Sequence, residues 1–465
     1  MDHAALTARL DALLGVGRSF DMVGRDLTVG GRRARLWVVN GYAEDGLLER
    51  LIGRLLAIGD LSAIPDLAAL LASCITVPDA EVEHDVERMA LGVFAGKTLL
   101  VVEGYAGGLL LDAKEYPTRS VEEPDTGKVL RGSHDGFVES LMANAALLRR
   151  RIRDSALTLE RHQVGGRSKT DVALVYMAGE ADEGYLQQLR QKLAAIDVRS
   201  IAMSQESVAE CIVPKQWWDP FPKIRYTERP DVATATIMEG GILLMVDNTP
   251  SVMLLPTTLF SFAEEINDYY FPPLIGTYLR AVRLVVLFLT VFITPLWYLL
   301  VKNGDSLPAA MEFLLIEDEY FVPLIVQLLL VELIVDILKL ASLNTPAALS
   351  NSFSMLGALI LGDFAVQARW LVPEVLVYMA FVAVAGYAQH SYEMGYACKL
   401  VRMALLILIW LWDGWGFAAG VLGAVALIAS TRTVVGRGYL HPLLPFDGKR
   451  LRRLLLRSPI HRRNT

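Results

Sequence analysis

Glu332 and Asp336 lie four residues apart inside Phe321–Leu340, an otherwise largely apolar run. On a helix that spacing puts both carboxylates on one face, with Lys339 a turn beyond Asp336. A charge at mid-bilayer costs on the order of 2.5–3.5 kcal/mol on insertion scales, so such side chains face protein, a water-filled path or the headgroup level rather than lipid. Two adjacent carboxylates also repel, which favours one of them holding a proton. Two arrangements fit this spacing: acids lining a route for cations, or an Asp336–Lys339 ion pair on a helix lying at the membrane surface. Asp363 and Gln367 repeat the four-residue spacing in Met355–Ala368, where Gly357, Gly362 and Ala365 allow close helix approach. That segment is too short to span comfortably and suits pore lining or packing. Glu332, Asp336, Asp363 and Gln367 are therefore the candidate ion-path residues.

The elements that must position them are apolar stretches. Leu284–Val301 has 18 residues and no charge, enough with its flanks to cross a hydrocarbon core, and Pro295 is expected to kink it. Arg280 and Arg283 precede it and place that end in the cytosol by the positive-inside rule. Phe321–Leu340, Met355–Ala368, Val372–Ala388 and Leu400–Ser430 follow, the last long enough for two passes joined at Asp413–Gly416. Residues 431–465 carry nine Lys and Arg against one acid, so this basic tail is also expected in the cytosol. Both termini on one side require an even number of crossings: six if every piece spans, four if two are re-entrant or interfacial. The expected transmembrane domain is residues 271–430, all helical.

The first 270 residues are different in kind. They hold 28 Lys and Arg against 39 Asp and Glu, and Met1–Arg18 has no basic-then-apolar export signal, so a cytosolic region is expected. Its pattern repeats. Arg35–Gly41 reads as a strand, Leu47, Leu48, Leu51, Ile52, Leu55 and Leu56 share a helix face, and Gly96–Asp112 reads as a hairpin. Roughly 140 residues on, Asp171–Met177 is again a strand, Tyr185, Leu186, Leu189, Leu193 and Ile196 share a face, and Gly240–Pro256 is again a hairpin. Two similar α/β lobes are expected, 1–155 with a polar linker and 156–270. In the linker, Arg119, Glu122, Arg149, Arg150, Arg151 and Arg153 alternate with acids. They fit an ion-pair network between the lobes or a site for an anionic ligand.

Several function classes find no support in the motifs. The net charge of −7 opposes a nucleic-acid partner, which needs a concentrated positive field. Cys74, Cys211 and Cys398 form no CxxC pair, so neither a disulfide framework nor a metal site is expected. Gly166–Thr170 lacks the glycines of a phosphate loop, Gly15-Val-Gly17 has no third glycine, and neither HExxH nor GxSxG occurs. No enzyme activity and no cofactor is predicted.

The polar pieces Arg119–Pro124, Asp135–Glu139, Leu148–Arg153, Arg167–Val172, Thr227–Asp231 and Asp268–Tyr270 together resemble the A subunits of the spore germination receptors, the GerA family, over nearly the whole chain. Val372–Phe381, Ser391–Ala397 and Tyr439–Lys449 pull toward one branch of that family; His390 stands where the family pattern has a proline. The resemblance implies a protein of the spore inner membrane in endospore-forming bacteria, a homo-oligomeric channel subunit that releases monovalent ions on germination. It also implies a small membrane-protein partner. A ligand-sensing receptor subunit and a secondary transporter are the alternatives, the latter disfavoured because the repeat lies outside the membrane segments.

Overall fold

A computed structural model describes residues 3–42, 45–77, 79–113, 132–213, 216–262, 264–265, 267–304, 308–317, 319–344, 364–387, 391–436 and 438–456. The chain divides into two compact units, one formed by residues 1–215 and 224–257, the other by 216–223 and 258–465.

The first unit contains two lobes with one element order. Lobe one runs α1 (His3–Leu14), β1 (Met22–Val29), β2 (Arg32–Val39), α2 (Asp45–Ala57), α3 (Leu67–Cys74), β3 (Ala80–Glu83), α4 (Val86–Phe94), β4 (Thr98–Val102) and β5 (Gly108–Leu111). Lobe two repeats it as α5 (Leu141–Arg151), β6 (Leu157–Val164), β7 (Thr170–Met177), α6 (Glu183–Ala194), α7 (Ser204–Ile212), β8 (Arg225–Thr227), α8 (Pro230–Met238), β9 (Ile242–Val246) and β10 (Val252–Leu255). Both sheets are antiparallel and share a strand order, β1-β2-β4-β5-β3 and β6-β7-β9-β10-β8. Two lobes that agree in helix order and in strand order are copies of one plan.

The central strands are apolar throughout because both faces of each sheet are covered. In β2, Ala34, Leu36 and Val38 join Leu51, Leu55, Leu67 and Leu70 of α2 and α3, while Trp37 and Val39 join Leu10 of α1 and Met89 and Val93 of α4. The two-residue period of a strand thus feeds two cores. Local signals start the helices: Asp66, Asp85, Ser140 and Asp182 each accept a backbone N–H as N-caps of α3, α4, α5 and α6. The β1–β2 hairpin turns on Gly30 and Gly31, both at positive φ (55° and 79°), where a side chain would be strained.

The second unit holds α9 (Asn267–Tyr270), α10 (Pro273–Lys302), α11 (Leu324–Asn344), α12 (Pro373–Tyr387), α13 (Tyr392–Ser430) and α14 (Gly448–Leu455). Among the described residues only α10 and α13 are long and apolar enough to cross a membrane, and α12 is a shorter apolar helix. That is fewer than the four to six segments expected from hydropathy: α11 carries three charges, and most of Met355–Ala368 lies outside the described residues. Pro295 lies within α10, which continues through it.

α13 is a helical hairpin. Trp412 and Asp413 leave helical geometry, Asp413 at φ 52°. Beyond them Gly416 lies against the Leu408 carbonyl and Gly420 against Leu405 and Leu408, so the chain returns antiparallel along the arm it has just completed. Lys302, at the end of α10, donates to the Ile409 and Trp410 carbonyls at 3.2 and 3.0 Å and pairs with Asp413 at 2.7 Å. A cation thus sits on the open C-terminal carbonyls of the first arm.

Candidate functional site

α11 and the first arm of α13 face each other with opposite charges. Glu332 and Asp336 stand on α11. Lys399 and Arg402, three residues apart and so on one face of α13, point at them. Arg402 Nε donates to Glu332 Oε1 at 2.6 Å, and Arg402 Nη1 donates to the Thr290 carbonyl of α10, also at 2.6 Å. Lys399 Nζ lies 3.3 Å from Glu332 Oε2, donates to the Glu332 carbonyl at 3.0 Å, and forms a close ion pair with Asp336. The side chains of Glu332 and Arg402 are both only 3% exposed, so this is a buried network and not a surface bridge. It ties three helices together and sums to zero charge, the condition under which ions are tolerated in an apolar bundle.

The network borders a cavity of about 40 Å³, lined among others by Met379, Gly386, Tyr392 and Tyr396. That is room for a few water molecules. Asp336 Oδ1 is buried without a hydrogen-bond partner. The Lys339 ammonium also lines this cavity, 5.7 Å from the Tyr396 ring centre. The site therefore combines fixed charge, one unsatisfied acceptor and a small void between helices. Among the described residues no group of three or more His, Cys, Asp or Glu is placed to hold a metal ion.

Of the residues singled out by spacing, Glu332 and Asp336 are thus brought together. Each of the two carboxylates meets a cation from α13. Gln367 is exposed and does not line the cavity, and Asp363 lies outside the described residues. Lys399 lies just before the apolar stretch Leu400–Ser430 and Arg402 is the single cation inside it, while the helix itself starts at Tyr392. Their three-residue spacing, complementary to Glu332 and Asp336, was the available signal.

The arginines of the polar linker behave differently from one another. Arg149 is buried and pairs with Asp21 of lobe one at 3.0 Å while donating to Ser19 Oγ at 3.3 Å. Phe20 N donates to Leu159 O at 3.1 Å beside it, so this pair joins the two lobes. Arg151 donates to Ser133 at 2.8 Å and pairs with Asp135 at 2.6 Å. Arg150 and Arg153 are exposed, and Arg119 and Glu122 lie outside the described residues. In lobe two, burial alone would raise the Glu160 pKa, but hydrogen bonds with His162, Arg190 and Tyr176 outweigh it and hold the carboxyl well below its usual range.

At the start of α10, Arg280 and Arg283 are not free charges: Asp268 Oδ2 takes both, each at 3.1 Å, and Glu265 takes Arg283 at 2.5 Å.

The profile described as Bacillus/Clostridium GerA spore germination protein matches residues 9–465. The chain is 35% identical to "Stage V sporulation protein AF" of Bacillus subtilis (strain 168), an alignment covering 96% of this chain and 90% of that protein. It is 27% identical to "Spore germination protein KA" of the same organism, over 96% of this chain and 82% of that one. Among solved structures, the N-terminal domain of the A subunit of the Bacillus megaterium spore germinant receptor GerK3 covers 55% of this chain and 94% of its own, at 25% identity and a TM-score of 0.42.

Proposed function

Since the chain belongs to the GerA spore germination protein family, we propose that it is a subunit of a homo-oligomeric, ion-conducting assembly in the spore inner membrane. A small membrane-protein partner and cytosolic N- and C-termini complete the reading. The membrane placement draws on α10 and α13, of whose apolar windows only 28% is buried; core helices of a soluble fold would be mostly covered. Each arm of the α13 hairpin is roughly 25–30 Å long, close to the thickness of a hydrocarbon core. The arms and α10 count as three of the crossings in this reading, and the stretch from α11 to α12 supplies an odd number more, so that both termini lie on one side.

One observation carries the conducting role: the Glu332–Asp336–Lys399–Arg402 network lies deep in the apolar part of the bundle. Its anchor on α10, Thr290, is seven residues from Arg283, or about 10 Å along the helix axis. Ionisable groups at such depth and turned inward mark pathways in membrane proteins. In the present geometry the acids are held by Lys399 and Arg402 and the cavity is small, which is a closed arrangement. Conduction requires Lys399, shared between two carboxylates, to release at least Asp336. Asp363 and Gln367 remain path candidates in an assembly of several subunits.

The test is ion flux through the purified protein in liposomes, with and without its membrane partner. Glu332→Gln and Asp336→Asn are expected to alter monovalent cation flux without abolishing assembly. Absence of flux under both conditions would remove the conducting role; flux unchanged by both substitutions would reduce the network to packing. A ligand-sensing role is the second reading. It is favoured by the likeness to germination proteins and by the exposed Arg150 and Arg153 at the end of α5, and ligand-dependent thermal stabilisation by amino acids or dipicolinate would support it.

A further inference from the structure

One end of the helical unit is assembled from stretches far apart in sequence. Thr431 Oγ1, just past α13, donates to Asp219 at 3.0 Å, and Asp219 also pairs with Lys223 at 3.1 Å. Tyr439 Oη donates to the Pro222 carbonyl at 2.8 Å, and Tyr439 O accepts from Leu259 N at 3.0 Å. Thr431, Thr433, Val434 and Tyr439 are all buried, so together with residues 216–223 they form a fixed frame.

That frame holds large apolar side chains outward. Trp217 is 93% exposed, Phe446 74%, Leu444 60% and Trp218 58%, and the two indoles meet edge-on at 6.1 Å. Directly after Phe446 comes α14, tied to the first turns of α10 through Arg280 Nη1 donating to the Leu454 carbonyl at 3.0 Å. The sequence of α14, Gly-Lys-Arg-Leu-Arg-Arg-Leu-Leu, sets four cations among three leucines.

We infer that this end is a lipid anchor: Trp217, Trp218, Leu444 and Phe446 enter the headgroup–acyl boundary of one leaflet, and the Lys and Arg residues of α14 bind its anionic phospholipids. Three features select a membrane surface over a protein partner. Paired tryptophans are the side chains that settle at membrane–water interfaces. The apolar tips project from separate loops and do not line one groove. The stretch 431–465 carries nine cations against one acid, and apolar insertion combined with a basic patch gives stable attachment where either alone is marginal. The contact with α10, itself a candidate span, makes the surface continuous with the membrane segment. The inference is independent of whether the assembly conducts ions.

The test uses the full chain. Detergent-solubilised protein is titrated with phosphatidylglycerol and with phosphatidylcholine. Preference for the anionic lipid is expected, and the combined Lys449→Gln, Arg450→Gln, Arg452→Gln and Arg453→Gln variant should weaken it by at least about tenfold, each basic residue near an anionic surface being worth roughly fivefold. Exchanging lysine for arginine and arginine for lysine at the same four positions should retain it. In vesicles of equimolar phosphatidylglycerol and phosphatidylcholine, brominated acyl chains should quench the fluorescence that Trp217→Phe/Trp218→Phe removes. Lipid preference unchanged by the glutamine variant, or indole fluorescence quenched by aqueous iodide but not by brominated lipid, overturns the inference and leaves this end as a water-facing or protein-binding surface.

Discussion

Replacing Arg402 by Met tests the buried network most directly. The substitution keeps the length of an apolar stem but removes the guanidinium that holds Glu332 at 2.6 Å and the Thr290 carbonyl at 2.6 Å. Breaking a buried pair by deleting one partner costs roughly 3–5 kcal/mol, because the remaining charge is left uncompensated. Here Lys399 stays 3.3 Å from Glu332 Oε2, so the expected loss is at the lower end, about 3 kcal/mol. For a unit of this size that corresponds to a fall of about 6–12 °C in apparent Tm. The double variant Glu332→Met/Arg402→Met removes both charges and leaves Lys399 with Asp336, so it should recover at least about 2 kcal/mol of the single-variant loss. Unfolding of the detergent-solubilised protein, followed by tryptophan fluorescence during a denaturant titration, reads both values. Arg402→Met within about 1 kcal/mol of the parent, or a double variant whose loss is the sum of the two singles, would show that the network does not exist as an ion pair in the folded protein.

The α13 hairpin makes a second prediction, because a Cβ on Gly416 would stand 1.9 Å from the Leu408 carbonyl oxygen, whereas one on Gly423 meets nothing within 4 Å. Gly416→Ala should destabilise by about 2 kcal/mol or more and Gly423→Ala should be neutral or slightly stabilising; equal effects in a thermal melt would contradict the antiparallel return. In lobe two, Glu160 has its carboxyl pKa depressed in the fold, so its contribution is present above the unfolded value near 4.5 and is lost as pH falls below it. Acid unfolding of the full chain should therefore be less steep below that pH in Glu160→Gln, and identical acid profiles for variant and parent would remove Glu160 from the account.

The outline of the fold was legible because its signals are local. The apolar run at β2, the helix face in α2 and the hairpin of β4 and β5, with their counterparts β7, α6, β9 and β10, all follow from residue periodicity within a dozen positions. The outer strands β1 and β6 were not visible: each interleaves charged residues, Arg25 and Asp26 in one, Glu160 and Arg161 in the other, since an edge strand meets core on only part of its surface. At the candidate site, the shared face of Glu332 and Asp336 was equally a matter of spacing along one helix.

What tertiary structure alone decided was who answers each charge. Arg149 and Asp21 are 128 residues apart, Arg402 and Glu332 are 70 apart, and Lys399 lies 63 from Asp336. Spacing along a helix fixes which side chains share a face, but not which helix that face meets or at what height. Those depend on the packing of α10, α11 and α13 and on the fold-back at Asp413. The sequence by itself thus determined two α/β lobes, a run of apolar helices and a face of acids that must avoid lipid. The packed structure decided that this face is closed by Lys399 and Arg402, because a buried charge is stable only where the three-dimensional fold brings it a partner.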